Sequence, residues 1–237
     1  MQDDRWGGHP LTGVGWAIAN CGRSGDKPPM AEVDPGRTTV RAVKTRRRLM
    51  EAAVDLISQG GLPTATPAAV AAGAGVARTA FLYHFPERRG FLDALAGHLA
   101  DEMSRLFDAA GRPPAGVDAS DHAIDTYWAL LQTPAFLAFL DLRAASRGDA
   151  EVAAAIGDLL ADFDSGRLGG RFGAVAQAGE DPRFQTSRDL GRFLLEGLAL
   201  GGLTYDAEDR RRRLIEVVKR AVQGLNRKGS TRDLWPG

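Results

Sequence analysis

Arg78, Thr79, Leu82 and Tyr83 recur at helical spacing within Thr66 to Phe85, TPAAVAAGAGVARTAFLYHF, and place a guanidinium, two hydroxyls and an apolar edge on one surface. Such a set suits the groove of a nucleic-acid duplex. A guanidinium meets guanine in a bidentate fork, while hydroxyls hold sugar and phosphate without reading sequence. Arg78 and Thr79 are therefore the candidate base or phosphate contacts and Tyr83 supplies a hydroxyl near the backbone, with Ala77, Leu82 and His84 bordering the same surface. His84 suits inward packing better than base reading.

These side chains need a short, rigid helix held by a second one. Thr66 is a good N-cap and Pro67 a good first helical residue, so a helix starts there with its N-terminus able to face a phosphate. Gly73 and Gly75 break it, and Gly75 can take a left-handed backbone without a Cβ clash. A second helix then follows from Ala77 or Arg78. Val70, Ala74, Val76, Phe81 and His84 face inward if the two helices cross steeply, and Ala71, four residues before Gly75, is small enough to allow close approach. That steric pattern is what a helix-turn-helix requires. The plainer alternative is an Ala/Gly-rich hairpin inside an all-α core.

The charge distribution favours the first reading. The chain is balanced at 30 basic and 30 acidic residues, yet Arg37 to Arg89 holds nine Arg or Lys against three Asp or Glu, a net +6. The remainder must carry −6. A basic module on an acidic body is the layout of a DNA-binding segment with a separate regulatory part. Arg37, Arg41, Lys44, Arg46, Arg47 and Arg48 fall within twelve residues that contain no acid. Arg41, Lys44, Arg46, Arg47 and Arg48 are thus candidates for phosphate attraction or for reaching a minor groove, with a solvated face as the competing use of Arg46 to Arg48.

The stretch RRRLMEAAVDLISQGGLPTATPAAVAAGAGVARTAFLYHFPERRGFLDAL resembles the N-terminal domain of the TetR family of transcriptional regulators. Those domains pair an R-x-x-I-L-x-A-A-x-x-L-F helix with a T-x-x-x-I-A-x-x-A-G-V-S-x-x-x-L-Y-x-H-F-x-x-K-x-x-L run. The family's Ser is Ala77 here, its Tyr is Leu82 with Tyr83 beside it, and its Lys is Arg88, which keeps the charge that would neutralise a phosphate. The resemblance implies an all-helical, homodimeric repressor with a ligand pocket in its C-terminal part.

Length and composition bound the rest. At 237 residues, 44% hydrophobic and 25% charged, the chain suits a small DNA-binding domain plus a larger globular one. The expected organisation is a disordered extension over 1–36, a helix-turn-helix domain over 37–86, a helical regulatory and dimerisation domain over 87–227, and a tail over 228–237. Met30 is a second candidate start, which the intact mass of the natively expressed protein decides. The single cysteine, Cys21, offers no internal disulfide, and no His or Cys spacing suggests a metal; no cofactor is expected. No apolar run is long enough to span a bilayer, so a cytoplasmic protein without membrane contact is expected. Four scattered histidines and the lack of a nucleophile motif argue against an enzyme.

The order of elements follows from periodicity. Thr38 or Thr45 could cap a helix to Gln59, with Leu49, Ala52, Ala53, Leu56 and Ile57 as its apolar stripe. Pro86 and Glu87 open a long helix carrying Phe91, Leu95, Leu99, Met103 and Leu106, the natural lever between the two parts. Further helices are expected from Asp118 or Ser120 through Leu131, from Ala135 to Arg147 with Thr133-Pro134 as cap and first residue, and from Ala150 to about Phe163. Two more follow, from Arg188 to Leu203 and from Ala207 to Leu225.

The aromatic positions of that second part, Phe107, Tyr127, Trp128, Phe136, Phe139, Phe163 and Phe172 with His122, are the candidate lining of a site for a small, largely apolar effector. Plain core is the competing use of each. In the family the last two helices pair with their twins, which implies an interface through Phe193, Leu194, Gly197, Leu198, Gly201, Leu214, Val218 and Val222. The combined expectation is a ligand-responsive regulator, most simply a repressor, that binds a palindromic DNA operator as a homodimer. The alternative is a helical protein-interaction module, or a degenerate regulator without DNA binding.

Overall fold

A computed structural model describes residues 35–165 and 182–226. Residues 1–34 of the expected extension, the expected tail and Phe172 lie outside the described residues, whereas Pro35 and Gly36, expected in that extension, already belong to the first helix. Among the described residues there are nine α-helices and no strand. They are α1 (Pro35–Gly60), α2 (Pro67–Gly73), α3 (Arg78–His84), α4 (Arg88–Ala110), α5 (Ala119–Leu130), α6 (Pro134–Ala145), α7 (Ala150–Asp164), α8 (Pro182–Gly201) and α9 (Ala207–Asn226), with a 3-10 turn, Leu62–Thr64, after α1. None of the described helices is long and apolar enough to cross a membrane.

The helix α1 begins well before the capping threonines. Thr45 sits inside it, and its hydroxyl donates back to the Arg41 carbonyl at 2.9 Å, as mid-helix threonines do. The helix therefore continues through the basic run, which carries no local stop signal. It ends where expected, because Gly61 takes φ 80°. Leu49, Ala53 and Ile57 are fully buried along one stripe, joined by Met50 and Val54. Asp118 and Asp149 cap α5 and α7 through their carboxylates. Thr133 is the N-cap of α6 with Pro134 at its start, but its hydroxyl makes no cap bond and donates to the Leu130 carbonyl at 2.7 Å instead. The helix α8 starts at Pro182, six residues ahead of Arg188.

One buried cluster runs from Leu49 in α1 through α4 and α6 to Val222 in α9. It crosses the expected boundary at 86/87 without interruption. Phe81 in α3, Phe85 at its end and Phe91 in α4 pack as a trio with ring centroids 5.3 to 5.7 Å apart, so the lever and the short helix share one aromatic knot. The helix α1 lies along α6, α4 against α7, and α8 against α9. As its nearly all-round apolar pattern required, α6 is central: Ala135, Phe136, Ala138, Phe139, Leu140 and Leu142 are buried.

Candidate nucleic-acid interface and regulatory core

The two-helix unit forms for the reasons its residues supply. The Thr66 hydroxyl accepts from the Ala69 amide at 3.2 Å, and Pro67 occupies the first helical position. Gly75 takes φ 64°, and the Val76 amide closes the turn on the Ala71 carbonyl at 2.9 Å. The helix α3 then starts at Arg78 with Ala77 as N-cap, and without a hydroxyl Ala77 makes no side-chain cap bond. Val70, Ala71, Ala74 and Phe81 are buried, while Val76 and His84 are half-buried.

Arg78, Thr79 and Tyr83 are exposed together on α3, Tyr83 at 82%. Thr66 and Ala77 are exposed beside them. Leu82 departs from the expected open face, being half-buried against the core. His84 is half-buried too, and burial, followed by the nearby Arg46 charge, holds its imidazole below the ordinary pKa. That fits a packed histidine in contact with the Tyr83 and Phe85 rings, at 5.4 and 6.3 Å between centroids.

The basic residues separate into two groups. Arg41 and Lys44 are exposed on the early turns of α1. Arg46 instead lays its guanidinium 4.6 Å from the Phe85 ring centroid, bracing the end of α3. Arg47 pairs with Glu51 at 2.7 Å on the exposed side. Arg48, expected with the basic arm, reaches the turn: its Nη2 lies 3.0 Å from where a Cβ on Gly75 would stand. Arg88 differs most from expectation. Its guanidinium is bound by Asp149 and Glu151 of the α7 N-terminus, each at 2.6 Å.

In the second part, Phe107, Tyr127, Phe136, Phe139 and Phe163 converge. Phe136 meets the rings of Phe107, Tyr127 and Phe163 at 5.4, 6.0 and 6.4 Å, and Phe139 meets Phe163 at 4.9 Å. Trp128 lies half-buried outside this knot, under Arg211 at 5.8 Å. The imidazole of His122 is half-buried, with its Nε2 buried and without a hydrogen-bond partner.

Charged side chains, absent from the expected lining, reach this knot. Glu196, only 2% exposed, accepts from the Tyr127 phenol at 2.8 Å and pairs with Arg143 through its other oxygen. Arg192 stacks between the Phe163 and Phe193 rings at 5.4 and 4.6 Å. The available signal is a lone glutamate, Glu196, inside the apolar run Phe193 to Leu203.

The expected interface residues also divide. Phe193 at 58% and Leu194 at 49% are exposed on α8, with Gly197 and Gly201 exposed and Leu198 half-buried; Leu214 is exposed on α9. Val218 and Val222 are buried within the chain, because they fill the space over Gly191 of α8, 4.0 and 3.4 Å from a Cβ placed there. Leu190, from the same expected stripe, and Leu200 and Val217 extend the exposed apolar surface.

Residues 49–95 match the family model described as bacterial regulatory proteins, tetR family. Among curated proteins nothing matches the chain. Among solved structures, a transcriptional regulator from Rhodococcus sp. Rha1 is 19% identical, with 75% of this chain and 94% of that chain covered at a TM-score of 0.57. A further Rhodococcus sp. protein is 22% identical (76% and 99% covered, TM-score 0.54). A member of the TetR family from Streptomyces coelicolor A3 is 21% identical (75% and 97% covered, TM-score 0.50). At these identities the likeness is one of fold.

Proposed function

We propose that this chain, a TetR-family protein by the helix-turn-helix domain in residues 49–95, represses transcription from a palindromic operator as a homodimer and is released by a small effector. The observation that carries the reading is the face of α3. Arg78, Thr79 and Tyr83 stand exposed on a helix whose opposite side, Phe81, is fully buried in the Phe85 and Phe91 knot. A helix anchored in this way presents its side chains to a groove without losing their geometry. Arg41 and Lys44 on α1 add sequence-independent attraction to phosphates.

The effector site is the aromatic knot of Phe107, Tyr127, Phe136, Phe139 and Phe163, with Glu196 and Arg143 as its polar contacts. A molecule binding there is largely apolar and carries one group able to engage that ion pair. It acts only through unequal affinity for the DNA-bound and free arrangements. The exposed apolar surface of α8 and α9 is the homodimer interface in this reading, and closing it against a twin removes Phe193, Leu194 and Leu214 from water.

A gel-shift titration on the DNA flanking its own gene, at several salt concentrations, tests the whole. A steep fall of affinity with salt and a two-fold symmetric footprint are expected, with Arg78→Ala weakening binding by about 1–3 kcal/mol and blurring specificity. Affinity unaffected by Arg78→Ala removes that contact. No binding to any duplex favours the alternative of a helical interaction module, motivated by the half-buried Leu82 and the uncapped Ala77.

A further inference from the structure

Arg88 stands where the family resemblance puts a phosphate-neutralising cation, yet its surroundings give that charge another use. Asp149 is the N-cap of α7: its Oδ1 accepts from the Glu151 and Val152 amides at 3.0 and 3.1 Å, which fixes the carboxylate in place. On that fixed group, Arg88 Nη2 donates to Oδ2 at 2.6 Å and Nη1 to Oδ1 at 3.3 Å, while Nη1 also donates to Glu151 at 2.6 Å. Only an arginine fork meets two carboxylates in this manner. The positive charge already faces two negative ones, so it offers a phosphate no net attraction.

The neighbouring contacts point the same way. Arg89 Nη2 donates to the Ala154 carbonyl of α7 at 3.3 Å, so the first two residues of α4 both reach that helix. On the other flank of the two-helix unit, the Leu62 amide donates to Asp141 Oδ2 of α6 at 2.7 Å. Arg88 lies three residues beyond Phe85, and Phe85 with Phe91 encloses Phe81 of α3. Rigid contacts therefore lead from the α7 cap to the base of the reading helix.

We propose that Arg88, clamped by Asp149 and Glu151, is a positioning residue that sets the angle of the reading head on the body, and is not a phosphate ligand. The inference rests on the DNA-binding reading above. It makes the α6–α7 region, anchored at Asp141 and Asp149, a second route beside α4 itself by which movement of the body reaches α3.

The test compares the full chain with Arg88→Gln, Asp149→Asn and the double variant. Asparagine still caps α7 but loses the charge. Two readouts are used: operator affinity across salt concentrations, and amide hydrogen exchange in residues 67–84 against that in α8 and α9. Each single variant is expected to weaken operator binding about fivefold, the double no more than the worse single, with the salt slope unchanged. Exchange should quicken in 67–84 and stay constant in α8 and α9, whereas general destabilisation would quicken both. Arg88→Lys, which keeps the charge but not the fork, should restore only part of the affinity. A salt slope reduced by about one in Arg88→Gln, together with tighter binding by Asp149→Asn, would establish a phosphate ligand and overturn the proposal. Unchanged exchange in 67–84 would overturn it too. If the unmutated chain binds no duplex, the regulator reading fails by itself, and the exchange comparison still decides the clamp.

Discussion

The Tyr127 phenol and the Glu196 carboxylate meet at 2.8 Å between α5 and α8, in the interior of the body. Burial, followed by the adjacent negative charge, pushes the phenol far above its ordinary pKa, so it remains a donor. Arg143 holds the other carboxylate oxygen. Removing one partner of a buried charge costs more than removing a neutral donor. Tyr127→Phe is expected to cost about 1–3 kcal/mol and Arg143→Met about 3–5 kcal/mol in urea unfolding. Equal losses would mean that water reaches Glu196 freely.

Two glycines should respond with opposite signs to the same methyl group. Gly75 has φ 64° and Arg48 Nη2 lies 3.0 Å from its would-be Cβ, so Gly75→Ala should destabilise by about 1–2 kcal/mol. Gly97 lies inside α4 with nothing within 4 Å, so Gly97→Ala should stabilise by up to about 1 kcal/mol. Thermal midpoints moving in the same direction would count against the geometry at the turn.

Mass in solution checks the α8–α9 surface. Phe193→Asp combined with Leu194→Asp puts two charges into the exposed apolar area, and light scattering should show the dimer giving way to monomer with little change in helix content. Val218→Ala should act differently, loosening the α8–α9 packing within each chain at a cost of about 0.5–3 kcal/mol. An unmutated chain that is monomeric at micromolar concentration would remove the interface.

Acid should weaken the protein in two separable windows. His84 and His98 both titrate below the ordinary value of about 6.5, each mainly through burial. The unfolded chain then takes up protons first, so stability falls as pH drops below about 6.5 until the folded pKa values are reached. Asp149 is held below the usual carboxylate range, chiefly by the hydrogen bond from Arg88, so its contribution is complete above about pH 4 and is lost as pH falls through its folded value. His84→Gln should flatten part of the upper window and Asp149→Asn the lower one, read from urea midpoints against pH. Unaltered profiles would show that these shifts do not contribute.

Local chemistry was legible in the chain because each of its signals acts over a few residues. Thr66, Pro67, Gly75 and the spacing of Val70, Ala71, Ala74 and Phe81 specify two short helices and a turn from steric and capping needs alone. The stripes of α1, α4 and α6 likewise announce which sides are buried. What the sequence left open was the partner of each charged side chain. A basic run read along the chain looks uniformly available, yet the structure gives Arg46 to Phe85, Arg47 to Glu51 and Arg88 to Asp149.

The sequence by itself thus determined that the chain is helical, that a glycine-bent helix pair lies near its basic end, and that Arg78, Thr79 and Tyr83 share a face, since helix periodicity and local capping decide these. Only the tertiary structure decided that Leu82 turns inward, that Val218 and Val222 serve packing within one chain, and that Glu196 is a buried partner of Tyr127 and Arg143. The reason is separation along the chain. Arg88 and Asp149 stand 61 residues apart and Tyr127 and Glu196 69 apart, and no periodic pattern encodes which distant charge a folded surface brings within reach.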